Sequence, residues 1–132
     1  MTVFVDTSAI YSGLDPNDIS HAKAKAVWTT LIEEATPLLT NNYVLLETAA
    51  LLQNRLGLSA VRALHEEIQP ILEVAWISEH EHRTGVAEVL AAGRKKLSLV
   101  DCVSFETMRA RGIRTVFCFD AHFREQGFKV RP

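Results

Sequence analysis

Short apolar runs alternate with longer amphipathic stretches along the whole chain. The first run, Val3-Phe4-Val5, is typical of a buried strand in its length and its β-branched and aromatic content, and Asp6 ends it. A similar run, Thr115 to Phe119, precedes Asp120. The full set of predicted strands is Val3–Val5, Leu38–Leu39, Val74–Ile77, Thr115–Phe119 and an edge strand near Lys129–Val130.

Between these runs, apolar residues recur at helical intervals. Gly13 is expected to break the first helix, and Pro37 to follow the end of the second. Alternating strands and helices predict a three-layer α/β/α sandwich with a central parallel sheet, in one domain spanning residues 1–132. The predicted helices are a short one at Ala9–Tyr11, Ile19–Ala35, one from Thr40-Asn41-Asn42 to about Gly57, Ser59–Pro70, one ending at Ala92, one from Leu97 to Arg111, and a turn of helix at Ala121–Phe123.

Composition excludes several classes of protein. With 48% hydrophobic and 23% charged residues, the chain is typical of globular proteins. It has no apolar run long enough for a membrane span and no signal-peptide pattern, so we expect a cytoplasmic protein with no membrane association. The net charge of -2 argues against a purely electrostatic nucleic-acid binder, but not against an enzyme with cations at an acidic centre. Cys102 and Cys118 are expected to be buried free thiols.

Two aspartates follow predicted strands directly. The carboxyl ends of parallel strands share one edge of a sheet, and ligands bind at that edge in open α/β folds. Asp6 and Asp120 are therefore candidate functional groups, and they become neighbours if their strands are adjacent. A helix N-cap is the other interpretation of Asp6, because Asp is among the preferred capping residues.

Two further acids stand in unusual surroundings. Glu47 is the only charge between Tyr43 and Leu52, in a helix so apolar that we expect it to be buried; it either reaches solvent or lines a polar site, and we favour the site. Asp101 follows Ser98 by three residues, which is also the spacing of a capping box. The basic run Arg94–Lys96 comes shortly before Asp101 and is expected to lie beside any site that Asp101 lines. The run is therefore a candidate phosphate-binding segment only if Asp101 has a functional role.

Converging carboxylates repel one another unless they share protons or bind cations. Mg²⁺ and Mn²⁺ prefer such oxygen ligands, keep several waters and commonly meet substrate phosphates. Glu79-His80-Glu81-His82 is a second possible metal site, but a solvated helix start is favoured there. The pattern of residues alone thus predicts an acidic pocket and not a particular reaction.

Four segments together resemble the PIN-domain ribonucleases, particularly the VapC-like toxins of type II toxin-antitoxin systems. The order and spacing of these segments cover essentially the whole chain. They are Val-Phe-Val-Asp6-Thr7-Ser8, Thr40 through Val44 to Glu47, Leu97-Ser98-Leu99-Val100-Asp101, and Phe119-Asp120-Ala-His-Phe123.

The resemblance implies a metal-dependent endoribonuclease that hydrolyses RNA phosphodiester bonds. It also implies a homodimer and a VapB-like antitoxin partner that blocks the acidic pocket. One departure is Cys118, since relatives often carry a hydroxyl residue there, which puts any metal or phosphate contact from that position in doubt. The same resemblance implies four catalytic residues around Mg²⁺ or Mn²⁺, namely Asp6, Glu47, Asp101 and Asp120. It implies that Asp6 and Asp101 bind the metal directly and that Asp120 acts through water. It also implies that Thr7 or Ser8 helps to position the metal or the substrate.

Two other functions remain open from the residues. In the first, the chain is a non-catalytic PIN-fold interaction module in which the acids are only helix caps. In the second, Asp6 is the covalent nucleophile of a phosphatase. The second hypothesis ranks lowest, because Ser8 stands where such enzymes often carry another aspartate.

Overall fold

A five-stranded, all-parallel sheet lies at the centre of the computed structural model, which describes residues 1–132. The strand order is β3-β2-β1-β4-β5, so the first strand of the chain is the central one. Four of the five strands differ from the predicted ones by one to three residues in extent, and the parallel arrangement is confirmed. The strands are β1 Val3–Val5, β2 Leu38–Asn41, β3 Glu73–Ala75, β4 Thr115–Phe117 and β5 Lys129–Arg131.

Seven α-helices flank the sheet and complete the predicted three-layer sandwich. The chain steps from β1 to β2 to β3 in one direction, then returns across the sheet to β4 and β5. Because such crossovers are right-handed, helices before β3 and helices after it cover opposite faces. The helices are α1 Thr7–Leu14, α2 His21–Glu33, α3 Asn42–Leu56, α4 Leu58–Ala63, α5 Glu79–Ala92, α6 Leu99–Ala110 and α7 His122–Glu125.

The connections of the sheet diverge between β1 and β4. The chain leaves β1 toward one side of the sheet, and leaves β4 toward the other. Such a switch point opens a crevice at the carboxyl ends of the two strands, where open α/β proteins bind ligands. Asp6 and Asp120 follow these two strands, so the sheet topology brings the predicted acids to the same crevice.

Aromatic side chains fill both layers of the core. Trp28 of α2 packs edge-on against Phe117 of β4, with ring centroids 5.2 Å apart. On the other side Phe123 of α7 contacts Phe4 of β1 at 6.2 Å and Phe105 of α6 at 5.0 Å. Because β1 is buried on both faces, its residues are continuously apolar and do not alternate with polar ones.

Three predictions about local structure are wrong. Gly13 lies inside α1 and does not break it: a Cβ atom there would lie 2.8 Å from the Trp28 indole nitrogen, so glycine permits the close approach of α2. The predicted helix Ser59–Pro70 is α-helical only over α4, followed by a π-helical turn, Leu64–Ile68, and a 3-10 turn. The third strand ends at Ala75, and Trp76 beyond it is exposed.

The surroundings of Glu47 also differ from the prediction. The apolar sequence of α3 predicted a helix buried all round, yet Leu46 is 72% exposed and Ala50 is also exposed. The helix therefore has one buried face, which carries Val44, Thr48 and Leu52. No helix in the chain combines the length and the apolar character needed to cross a membrane.

Candidate active site

Three aspartate side chains meet in the crevice at the carboxyl ends of β1 and β4. One carboxylate oxygen from each of Asp6, Asp101 and Asp120 lies within 4.8 Å of the others. Each aspartate comes from a different connection of the fold, and together they offer the hard oxygen donors that Mg²⁺ and Mn²⁺ prefer. The structure thus brings together three of the four acids that the sequence singled out.

Asp6 is placed by the end of β1 and the start of α1. Its backbone is extended, with φ -90° and ψ 163°, and its side chain caps α1 by accepting from the backbone N–H of Ser8. The Ser8 hydroxyl donates to the same oxygen, Oδ2, at 2.9 Å. The side chain of Asp6 is only 3% exposed, so its orientation is fixed inside the protein.

Asp120 is placed by the pairing of β4 with β1. The two strands are in parallel register, with Val5 opposite Phe117, and the Asp6 N–H donates to the Phe117 carbonyl at 3.1 Å. Beyond β4 the chain turns into α7, and Asp120 Oδ1 accepts from the His122 N–H at 3.0 Å. This short turn holds the Asp120 carboxylate at the mouth of the crevice.

Asp101 enters the site from the first turn of α6. The Ser98 hydroxyl accepts from the Asp101 N–H at 3.0 Å, and Asp101 Oδ2 accepts from the Ser98 N–H at 3.1 Å. This is the capping box that the spacing suggested. Both interpretations of Asp101 are therefore compatible: its backbone and one oxygen cap α6, while its carboxylate reaches Asp6 and Asp120.

The three aspartates share one pattern of hydrogen bonding. Each uses one oxygen to accept from a nearby donor, namely Ser8, Ser98 or His122. The Asp6 and Asp120 carboxyl groups also lie within hydrogen-bond reach of each other, which raises the pKa of Asp6 further. The hydrogen bonds from Ser8, Ser98 and His122 therefore orient three carboxylates that converge in the crevice.

Glu47 lies in the same crevice but outside the three-aspartate group. It projects from the middle of α3 and is half-buried. The Thr7 hydroxyl faces it and lowers the Glu47 pKa, although Thr7 Oγ1 is buried without a partner at full hydrogen-bond geometry. The half-buried side chain of Glu47 thus lines the acidic crevice and stays partly open to solvent.

Burial and mutual repulsion make this crevice costly to ionise. Desolvation, then the charge of Asp120, raise the pKa of Asp6 well above its usual value, and the hydrogen bond from Ser8 only partly opposes them. Burial is also the main cause of the raised pKa values of Asp101 and Glu47, with a further contribution from Asp120. Bound cations would relieve this repulsion.

Comparison with known proteins identifies the family. Residues 3–129 match the PIN domain. The chain belongs to the PIN-domain family. It is 31% identical over 132 residues to the 23S rRNA-specific endonuclease VapC20 from two strains of Mycobacterium tuberculosis, covering 98% of both sequences. The resemblance noted in the sequence is confirmed.

Solved structures give the same fold. The crystal structure of Mycobacterium tuberculosis VapC20, described as a sarcin-ricin loop cleaving toxin, superimposes with a TM-score of 0.84 at 30% identity, covering 98% of this chain and 99% of that one. FitAcB from Neisseria gonorrhoeae superimposes with a TM-score of 0.70 at 18% identity, covering 100% and 97%. The second similarity shows the fold alone.

Within this PIN domain, Asn41 is a positioning residue that the sequence analysis assigned only to a helix start. Asn41 caps α3 by accepting from the Val44 N–H at 2.9 Å. Its amide nitrogen also lies 3.2 Å from the Ser104 hydroxyl and 3.1 Å from the Thr107 hydroxyl of α6. The fully buried amide thus ties the helix that carries Glu47 to the helix that carries Asp101.

Three other predictions concern residues outside the PIN-domain acids. Cys102 and Cys118 are buried free thiols, as expected. Cys118 faces the Asp120 carbonyl in a neighbouring groove, and burial raises its thiol pKa, so it supplies no thiolate to the crevice. His80 is exposed at the start of α5, where Ser78 and Glu81 form a capping box, and this confirms the predicted helix start.

The crevice opens into a cleft of about 450 Å³. Its walls carry the four predicted acids, Thr7 and Ser8, and a fifth carboxylate, Asp18, which the sequence did not single out. Lys96, from the basic run before α6, also lines the cleft. The PIN-domain site is therefore strongly acidic at its floor, with a lysine in its wall.

Proposed function

We propose that this PIN-domain protein is a divalent-metal-dependent endoribonuclease, the toxin of a VapBC-like toxin-antitoxin pair. The observation that carries the proposal is the convergence of Asp6, Asp101 and Asp120, with one carboxylate oxygen of each within 4.8 Å of the others. The 23S rRNA-specific endonuclease VapC20, which matches along nearly the whole chain, supports RNA as the substrate class and makes ribosomal RNA the first substrate to test.

The donor set fits a hard divalent cation. Three carboxylate oxygens in one crevice are the kind of donor that Mg²⁺ and Mn²⁺ prefer, and these ions complete their shells with water. The raised pKa of Asp6 shows that its charge is poorly compensated by the protein alone. A cation in the crevice would supply that compensation, with Asp6 and Asp101 as its proposed direct ligands.

The residues of the chain then have distinct proposed roles. Mg²⁺ or Mn²⁺, when bound, would neutralise charge on the phosphodiester and lower the pKa of water. Asp120, in the turn before α7, would hold a water at the mouth of the crevice. Glu47, whose pKa is raised by burial, would accept a proton from the attacking water, and Thr7 and Ser8 would orient Glu47 and Asp6.

The partners are proposed on the same basis. A VapB-like antitoxin would cover the acidic cleft, and the protein would act in the cytoplasm as a homodimer on RNA. The observation that favours the non-catalytic module is that Asp6 and Asp101 do cap their helices. Capping accounts for one oxygen of each acid, but it does not require three carboxylates to converge.

Incubation of purified protein with total RNA and ribosomes, with Mg²⁺, with Mn²⁺ and with a chelator, tests the activity. Mapping of new RNA ends should show metal-dependent cleavage at a few sites. Asp6→Asn should abolish cleavage, whereas the surface change Glu34→Gln should leave it intact. Equal cleavage by Asp6→Asn would reject the site, and binding of the adjacent-encoded protein without metal binding or cleavage would favour the interaction module.

A growth experiment tests the toxin role separately. Production of the protein alone should arrest growth, and co-production of the protein encoded beside it should restore growth. Asp6→Asn should remove the arrest without reducing protein level. Normal growth with abundant active nuclease would instead separate the ribonuclease activity from toxicity.

A further inference from the structure

Lys96 is the only lysine or arginine among the residues that line the acidic cleft. Five carboxylates share that lining, so the cleft stays electronegative with one divalent cation bound. RNA carries a negative charge at every phosphate, and backbone binding therefore needs cationic contacts as well as the metal. Lys96 is placed to provide one.

The charge of Lys96 is not used inside the protein. No carboxylate oxygen lies within 4.0 Å of its ammonium group, whereas Arg94, two residues earlier, pairs with Glu125 at 2.8 Å. An unpaired ammonium in the wall of an acidic cleft is free to bind an anion that enters from solvent.

The backbone around Lys96 is held on both sides. Gly93 ends α5 in the left-handed conformation, and the Arg94–Glu125 pair ties the segment to α7. Leu97 is buried in the core, and Ser98 begins α6. Lys96 is therefore presented from a short fixed connection beside the first turn that carries Asp101.

We infer that Lys96 forms a phosphate subsite of the cleft, which binds the RNA phosphate next to the one being hydrolysed. The inference rests on the proposed function and extends it to the substrate backbone. The ammonium group is too far from the three aspartates to pair with them, so its phosphate is a neighbour of the scissile one. Lys95, the residue before Lys96, is exposed and does not line the cleft. It therefore provides a matched control for the loss of one lysine charge.

Binding is measured with cleavage suppressed. A fluorescein-labelled single-stranded RNA is titrated with protein in Ca²⁺, its integrity is checked by gel, and anisotropy is recorded at several salt concentrations. Lys96→Gln should weaken binding about tenfold at low salt and reduce the slope of log K against log salt by about 0.7. Lys95→Gln should change affinity by less than about twofold, and Lys96→Arg should retain most of it.

Kinetics and metal binding separate a phosphate subsite from a structural role. In Mg²⁺, Lys96→Gln should raise KM about tenfold with kcat within about twofold, as expected for loss of uniform binding. Its Mn²⁺ affinity should not fall, because removal of a cation cannot weaken an acidic metal site. A drop in kcat alone, or equal loss of RNA affinity in Lys95→Gln, would overturn the subsite.

The outcomes also distinguish this inference from the proposed function. RNA binding that depends on Lys96 without any cleavage would keep the subsite and reject hydrolysis. Cleavage with unchanged RNA affinity in Lys96→Gln would keep hydrolysis and reject the subsite. If the variant loses affinity only for the adjacent-encoded protein and not for RNA, Lys96 belongs to a protein interface and the inference is wrong.

Discussion

Ser8 and Phe119, 111 positions apart in the sequence, are joined by a 2.9 Å hydrogen bond from the Phe119 N–H to the Ser8 hydroxyl oxygen. The same hydroxyl donates to Asp6 at 2.9 Å. One small side chain therefore couples the orientation of the buried carboxylate to the segment that leads into Asp120. The resemblance suggested a positioning role for Ser8, and these two contacts give that proposal a physical basis.

Ser8→Ala should damage the site more than the fold. The substitution removes the donor that lowers the Asp6 pKa and leaves the Phe119 N–H without its acceptor. We expect a loss of about 1–2 kcal/mol in the free energy of unfolding and a fall of roughly tenfold in metal affinity. Urea denaturation and Mn²⁺ titration measure these changes. Ser8→Thr, which keeps the hydroxyl, should restore metal affinity; equal loss in both variants would argue against a hydrogen-bonding role.

Asp6→Asn should stabilise the metal-free protein in a pH-dependent way. Asparagine keeps the helix cap but cannot ionise. Because the folded-state pKa of Asp6 lies above the ordinary value of 3.8, the neutral carboxyl favours folding, and that contribution is complete below about pH 3.8 and lost as pH rises through the folded pKa. The difference in Tm, variant minus wild type, should therefore be small at low pH and grow more positive as the pH rises toward neutral.

Divalent metal supplies the control for this prediction. Mg²⁺ or Mn²⁺ should raise the Tm of the wild type by binding only the folded state, and should leave Asp6→Asn nearly unchanged. Thermal denaturation across pH, with and without metal, measures both effects. A variant that is less stable than the wild type at neutral pH without metal would show that the Asp6 charge is well compensated by the protein.

The sequence predicted much of this site because two of its acids depend only on local signals. An apolar run that ends at an aspartate locates Asp6, and the same signal locates Asp120 close to the end of its strand. The parallel sheet then requires both to lie at one edge. The spacing from Ser98 predicts that Asp101 caps a helix. The position of Asp101 beside Asp6, however, depends on how α6 packs against the sheet, which no local sequence pattern predicts.

The features that sequence analysis missed depend on contacts between distant segments. The residues around Asn41 predict only a helix start. Nothing near Asn41 in the sequence indicates its hydrogen bonds to Ser104 and Thr107, which lie 63 and 66 positions away. Gly13 is predicted to break a helix, whereas in the structure its missing side chain leaves room for the Trp28 indole. The apolar sequence of α3 suggested complete burial, because composition alone does not tell which face of a helix is covered.

Asn41→Ala should destabilise the protein strongly. The variant loses the cap on the Val44 N–H and leaves the Ser104 and Thr107 hydroxyls without their buried partner. We expect a cost of about 2–4 kcal/mol in the free energy of unfolding, measured by urea denaturation. Asn54→Ala, at an exposed position of α3, should cost less than about 0.5 kcal/mol. Similar costs for the two variants would contradict the bridging role of the Asn41 amide.

Glu47→Gln should separate hydrolysis from metal binding. Glu47 lines the crevice but lies outside the group of three oxygens within 4.8 Å, so its removal should leave the proposed ligand set intact. As the proposed proton acceptor, it should contribute about 100-fold to kcat. We expect that loss in kcat with Mn²⁺ affinity changed by less than about threefold, whereas Asp101→Asn should lower Mn²⁺ affinity by about tenfold or more.

The comparison is made by calorimetric Mn²⁺ titration without RNA, followed by cleavage assays at saturating metal. Glu33→Gln, on the exposed end of α2, is the control for removal of a carboxylate elsewhere and should match the wild type in both assays. If Glu47→Gln lost metal affinity as Asp101→Asn does, Glu47 would be a ligand. Full activity in Glu47→Gln would instead show that Glu47 has no chemical role. The proton acceptor would then be Asp120 or water.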